Sequence, residues 1–159
     1  MFYVIDCLSV QQVMDSSKHG MWSSDWETNR RLDEVYKAAT EKGIVVCLIY
    51  KHFGSRCFCG VAKMRSRVDF ERRSGAWRFD RTVRGLENMG WCGEFHVKWM
   101  FLKDLPEDRL VELIGGNSNP IAPLIHGKEI PTFLGFEILR VFNSTRSSST
   151  LMDGFKRSR

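Results

Sequence analysis

Apolar residues along the chain recur with strand-like spacing in some segments and with helical spacing in others. The segment FYVID near the start predicts a short strand, and Ser9 can cap a helix that ends at Gly20. The next stretch, MWSSDWETN, is polar and irregular. Residues 29–42 then carry apolar side chains at helical spacing up to Gly43, which predicts a second helix.

The predicted centre of the sheet is a hairpin, formed by the apolar run 44–50 and a second strand at 57–64. Residues 94–101 alternate cleanly, which predicts a half-buried strand with His96 on its solvent face. Pro106 is a typical opening residue for a helix that ends at Gly115-Gly116. A loop over 117–131 and a last helix over about 132–142 follow.

These elements predict one domain of mixed α/β (α+β) class. The chain has 159 residues, which is enough to bury a hydrophobic core. Strands and helices are interspersed without a repeating βαβ unit. A mixed sheet or small barrel with flanking helices is therefore favoured over a doubly wound parallel fold.

The charge of the chain and its motifs narrow the possible classes of function. A net charge of +5 favours an anionic partner. The five cysteines are expected to be reduced thiols of an intracellular protein, and Cys57-x-Cys59 lacks the second ligand pair of a zinc site. Catalytic and phosphate-loop signatures are missing from the sequence, so we expect neither an enzyme nor a metal or other cofactor. We also expect no signal peptide and no membrane span.

The tryptophans indicate a binding site. Trp99 falls on the buried face of its strand, whereas Trp22, Trp26, Trp77 and Trp91 lie in irregular segments or at element ends. Indoles in a basic chain fit a methylated lysine, held by cation–π attraction, or a nucleobase stacked between rings. The positive charge of the chain disfavours a basic histone-like tail, so nucleic acid fits better.

Several segments, in order and over nearly the whole chain, resemble the YTH domain: GMWSSDWETNRRLDEVY, FCGVAKMRSRVDF, SGAW, WCGEFHVKWMFLKDLP and LMDGF. The resemblance implies an open β-barrel or mixed sheet of about six strands wrapped by helices, a PUA-like fold. It also implies a reader of single-stranded RNA that carries N6-methyladenosine. We expect the domain to cover 1–143, with a linker and basic tail over 144–159 that is partly docked through Leu151 and Phe155.

The resemblance also implies the roles of individual residues. Trp22, Trp77 and Trp91 would form the cage around the methylated base. The backbone carbonyl of Ser23 would accept the exocyclic N–H of the base. The side chain of Gln12 would meet the ring edge, and the backbone N–H of Leu8 would contact the base.

The phosphate contacts depart from the family pattern. The family usually has a basic residue where this chain has Asp6, and arginine then aspartate where it has Ile125 and His126; the hairpin asparagine of relatives aligns with Phe53. Candidate replacements are Arg78, Arg81, Arg84 and Lys51.

We expect a monomer in the cytoplasm or nucleus, with protein partners through regions outside this chain. Two alternatives stay open. In the first, the domain has lost methyl recognition and binds RNA or protein by another surface. In the second, it is a methyl-lysine reader.

Overall fold

The computed structural model describes residues 1–72, 93–114 and 124–145 of the chain, and within them the backbone forms six strands and four helices. The strands are β1 (Phe2–Cys7), β2 (Met21–Trp22), β3 (Cys47–His52), β4 (Cys57–Met64), β5 (Phe95–Pro106) and β6 (Glu129–Ile130). The helices are α1 (Val10–His19), α2 (Trp26–Glu41), α3 (Glu107–Ile114) and α4 (Thr132–Ser144).

The strands form one curled, half-barrel sheet in the order β2-β5-β4-β3-β1-β6. β1 runs parallel to β3, and the other neighbouring strands are antiparallel. The parallel pair needs a long connection, which α1, β2 and α2 provide. Register shifts interrupt the β4–β5 pairing between Phe58 and Gly60 and again between Val61 and Ala62. Such bulges bend a sheet. The mixed α/β class predicted from the sequence is confirmed.

Each face of the sheet carries a hydrophobic core. The inner core lies under α1 and α2, where Val13 and Leu32 pack with Ile5, Tyr50 and Trp22. The outer core lies under α3 and α4. It contains Val4, Ile49, Phe58, Val61, Leu105, Leu110, Ile138 and Phe142. β1, β3 and β4 contribute side chains to both cores because successive residues of a strand point to opposite faces.

The helix after the irregular stretch begins earlier than the sequence predicts. α2 starts at Trp26, and the Asp25 side chain caps it by accepting a hydrogen bond from the Thr28 N–H at 2.9 Å. Trp26 is therefore in the first turn of a helix, not in a loop. Its side chain is 51% exposed and meets Phe70 edge-on, with ring centroids 5.1 Å apart.

Other boundaries also differ from the predictions. β3 begins at Cys47 rather than 44, β5 continues to Pro106, and the short β6 lies inside the region predicted as loop. α1, capped by Ser9 and ended by Gly20 in the left-handed conformation, is confirmed. The predicted tail docking of Leu151 and Phe155 falls outside the described residues. In the part of the chain that the structure describes, no helix has the length and apolar character to cross a membrane.

Candidate functional site

The Ser23–Ser24 segment between β2 and α2 is held in place by one buried amide. Asn29 lies in the first turn of α2 and is fully buried. Its Oδ1 accepts the Ser24 N–H at 3.0 Å, while its Nδ2 donates to the Ser24 carbonyl at 3.0 Å and to the Gly93 carbonyl at 3.3 Å. Asn29 thus joins the segment after β2 to the start of β5.

Ser23 makes a second link across the same gap. Its hydroxyl donates to the Gly93 carbonyl oxygen at 2.6 Å. Gly93 has φ 91°, and a Cβ there would lie 2.7 Å from Val68 Cγ1 and 3.0 Å from the Asp69 carbonyl oxygen. Only glycine fits this position without displacing the chain. No residue that the structure describes donates to the Ser23 carbonyl oxygen.

Trp22 is the first of three aromatic rings in contact. Its indole Nε1–H donates to Ser24 Oγ at 3.0 Å, and the ring meets Tyr50 edge-on at 4.6 Å between centroids. Tyr50 in turn lies 4.5 Å from Trp99, whose Nε1–H donates to Ser16 Oγ at 3.0 Å. Trp22 has no exposed surface. A ligand can therefore stack on it only after the atoms that cover it move.

Leu8 and Gln12 interact directly with each other. Gln12 Oε1 accepts the Leu8 backbone N–H at 2.8 Å, and the Gln12 N–H donates to the capping Ser9 Oγ at 3.3 Å. The Leu8 N–H, which the family resemblance assigned to the base, is thus paired within the protein. The amide nitrogen of Gln12 has no partner among the described residues, and it remains a donor for a ligand.

The Asp6 region is organised around His126. The His126 Nδ1 accepts the Asp6 N–H at 2.8 Å, so its Nε2 carries the proton and faces Asp25 Oδ2 at 3.0 Å and Thr28 Oγ1 at 3.1 Å. Burial raises the pKa of the Asp6 carboxyl, although His126 and Lys51 oppose the shift. Burial also acts to raise the pKa of Asp25, but hydrogen bonds from Thr28 and His126 outweigh it and leave that pKa below its usual value.

Candidate phosphate contacts are few in this region. Ile125 is 51% exposed and supplies no charge, and Lys51 Nζ lies 3.7 Å from Glu107 Oε1. The exposed side chain of Phe53, in the β3–β4 turn, also lacks a charge. Among the described residues, no group of three metal-ligating side chains converges.

The structure therefore describes four of the residues predicted to contact the base, as two separate pairs. Trp22 and Ser23 share one clamped segment, and Leu8 and Gln12 share a hydrogen bond. The remaining predicted residues lie outside the described part of the chain: Trp77, Trp91, Arg78, Arg81 and Arg84. Sequence reasoning missed Asn29 and Gly93, which hold the segment. The available signal was a polar residue four positions after the Asp25 cap, on the buried side of the helix.

Comparison with known proteins shows the family. A family model described as a YT521-B-like domain, YTH, matches residues 1–143. The chain belongs to the YTH domain family. It is 30% identical over 155 residues to YTH domain-containing family protein 1 of Mus musculus and to YTH domain-containing family protein 2 of Homo sapiens. These matches cover 96% of this chain and 26% and 25% of the two relatives, so the chain spans about a quarter of their length.

Solved YTH domains share the fold. The crystal structure of the Pho92 YTH domain in complex with m6A superposes with a TM-score of 0.75 and 28% identity, covering 92% of this chain and 85% of that chain. The YTH domain of Zygosaccharomyces rouxii MRB1 protein, in complex with N6-methyladenosine RNA, gives a TM-score of 0.73 and 26% identity. That superposition covers 92% of this chain and 89% of that chain. The YTH resemblance read from the sequence is confirmed, together with its fold.

Proposed function

We propose that this chain binds single-stranded RNA containing N6-methyladenosine and catalyses no reaction. Its YTH membership and the m6A-bound state of two similar YTH domains support the proposal. The single observation in the structure that favours it is the clamped Trp22–Ser23 segment. In that segment a buried indole is followed by a carbonyl oxygen to which no described residue donates.

The proposed recognition of the base uses one face and two edge contacts. The N6-methyl group leaves one exocyclic N–H on the base, which the Ser23 carbonyl accepts. Ring nitrogen N1 is an acceptor and needs a donor, and the free amide nitrogen of Gln12 provides one. Gln12 Oε1 is already anchored on Leu8, so the orientation of this amide is fixed before RNA arrives.

The proposed cage consists of Trp22, Trp77 and Trp91 and selects the mark by packing. The methylated base is neutral, so stacking and burial of the methyl group replace cation–π attraction. A buried methyl contributes about 0.8 kcal/mol from its area, and a fitted pocket adds the packing that plain adenosine would leave unfilled. A preference on the order of ten- to a hundredfold is the range that one methyl gives.

The proposed backbone contacts are arginines rather than the residues at positions 6 and 125. Asp6 and Ile125 supply no cation, and Lys51 is paired with Glu107. The proposal assigns phosphate contacts to three arginines of the segment between the cage tryptophans: Arg78, Arg81 and Arg84. The proposed reader acts as a monomer without a cofactor, inside the cell, as expected of a protein that acts on RNA.

Substitutions of the cage tryptophans, compared with a substitution of Trp99, test this proposal. Trp77→Ala and Trp91→Ala should each weaken binding to methylated RNA by about 1–3 kcal/mol, the value of one base–aromatic stack. Trp22 also supports the inner core, so Trp22→Phe is the suitable variant there, and circular dichroism should confirm that it is folded.

Trp99→Ala is the control for the cage. It should lower the free energy of unfolding by about 3–5 kcal/mol, and the protein that remains folded should keep its methyl preference. Parent-like RNA affinity in all three cage variants would show that the cage is assigned to the wrong residues.

A further inference from the structure

The outer face of the sheet continues beyond the outer core as a basic surface, exposed at Arg65, His96 and Lys98. Along β5, Phe95 and Val97 are buried, whereas His96 and Lys98 point to solvent on the opposite face. On β4, Lys63 pairs with Cys47, which belongs to the outer core, so Lys63 also lies on the outer face. These residues define the outer basic strip: Lys63, Arg65, His96 and Lys98.

The strip places like charges opposite each other. Lys63 and Lys98 are direct cross-strand partners, an arrangement that destabilises a sheet unless something compensates the charge. Among side chains that the structure describes, no carboxylate lies within 4.0 Å of the charged nitrogens of Lys63, Arg65 or Lys98. An anion bound here would offset the repulsion.

A cleft of about 400 Å³ adjoins the strip and adds aromatic and apolar surface. Its lining includes Lys63 and Arg65 together with Tyr36, Ile44 and Val45. Ile44 and Val45 are 42% and 50% exposed, which leaves apolar surface beside the two cations. Cations that follow a backbone, next to rings and apolar groups that receive bases, are the features by which single-stranded nucleic acid is bound.

The strip is also connected to the candidate site. The Arg65 N–H donates to the His96 carbonyl at 2.8 Å, and His96 pairs with Met21, the neighbour of Trp22. β2 is only two residues long and is the edge strand of the sheet, so a chain leaving the site passes a short edge to reach the outer face.

We propose that the outer basic strip is a second RNA contact, which binds phosphates of nucleotides flanking the base held at Trp22 and receives a base in the cleft beside Tyr36. The proposal rests on the proposed function, because it extends the path of the same RNA. It adds phosphate contacts on β4 and β5 to those proposed for Arg78, Arg81 and Arg84.

Two RNA lengths separate the strip from the cage. One RNA has about 5 nucleotides and fills the cage only, and the other has about 15 and can reach the strip. Both carry one central N6-methyladenosine, and each has an unmethylated twin. The proteins are the parent, Lys63→Gln/Lys98→Gln, and the control Arg109→Gln/Arg140→Gln, which removes the same charge from exposed positions of α3 and α4.

The parent should bind the longer RNA more tightly than the shorter one, and the strip variant should lose that gain. With about 0.7 of salt slope for each phosphate contact, losing two contacts flattens the slope on the longer RNA by about 1.4. Between about 50 and 200 mM salt, each contact corresponds to about a threefold change in affinity. The strip variant should keep the parent's slope on the shorter RNA and its methyl preference on both.

The outcomes distinguish the two proposals. Equal slopes for the strip variant and the control on the longer RNA would overturn the strip, whatever the methyl preference. Equal binding of methylated and unmethylated RNA would contradict the proposed function. The comparison of salt slopes would then still test whether the strip binds RNA. The strip variant should melt at or above the parent's temperature because it loses a like-charge pair, and this checks that it is folded.

Discussion

Asn29→Asp tests whether the clamp on the Ser23–Ser24 segment organises the site. The substitution keeps the size of the side chain and the acceptor for the Ser24 N–H, but it removes the two donations to the Ser24 and Gly93 carbonyls. A carboxylate oxygen then faces two carbonyl oxygens in a fully buried position. Each lost hydrogen bond costs about 1 kcal/mol, and the buried charge adds to this. We expect the free energy of unfolding to fall by about 3 kcal/mol or more.

Urea denaturation measures this loss, with Asn29→Ala as the uncharged comparison and Asn143→Asp on the exposed surface of α4 as the control. Burial raises the pKa of the introduced carboxyl, so its protonated form is favoured in the folded state. The stability of Asn29→Asp should therefore recover relative to Asn29→Ala as the pH falls towards about 4. A loss below about 0.5 kcal/mol, equal to that of Asn143→Asp, would refute the clamp.

Three further predictions concern the base, the phosphates and acid stability. Gln12→Ala should weaken methylated and plain RNA alike by about 1 kcal/mol, measured by titration, because N1 is the same in both; unchanged affinity would place Gln12 away from the base. Ile125→Arg should tighten binding and steepen the salt slope by about 0.7, with the methyl preference unchanged, and a parent-like slope would contradict the missing contact. Arg67 hydrogen bonds hold the pKa of Asp33 below its ordinary value of 3.8, so the stability that they provide is complete above that pH and is lost as the pH falls below it. Asp33→Asn should remove this loss of stability in acid, measured by urea denaturation at several pH values. An unchanged pH profile would exclude Asp33 as the source of the loss.

Local signals in the sequence predicted much of the fold. The Ser9 cap and Gly20 defined α1, and the alternation from Phe95 to Trp99 defined the inner face of β5, because each depends on residues close in sequence. The alternation was wrong at Phe101, which packs in the outer core because the register shift beside Val61 and Ala62 adds one residue to β5. The start of α2 was missed because Asp25 and Trp26 lie in a polar, irregular stretch without helical periodicity. β6 has two residues and pairs with β1 across the fold, so no periodic pattern could mark it.

The site was less predictable than the fold because its geometry is set by contacts between distant residues. Asn29 donates a hydrogen bond to Gly93, 64 residues away, and the Leu8 N–H donates one to Gln12. The edge-on contact of Trp22 with Tyr50 likewise joins β2 and β3, which are not neighbours in the sheet. The motif resemblance predicted cage positions along the chain, but it did not indicate which polar groups are hydrogen-bonded within the protein.

The full burial of Trp22 has a kinetic consequence for the proposed reader. Since the indole must be uncovered before a base stacks on it, association should be slower than for a preformed open cage. Stopped-flow fluorescence of methylated RNA binding should give a rate that saturates at high RNA concentration, as a rearrangement step requires.

The most direct test of the central claim is titration of the parent protein with two single-stranded RNAs that differ by one N6-methyl group, beside a methyl-lysine peptide. We expect a preference for the methylated RNA of about ten- to a hundredfold, with no comparable binding of the peptide. Equal affinity for the two RNAs would contradict methyl reading by this domain, and tighter binding of the peptide would assign the aromatic site to methyl-lysine.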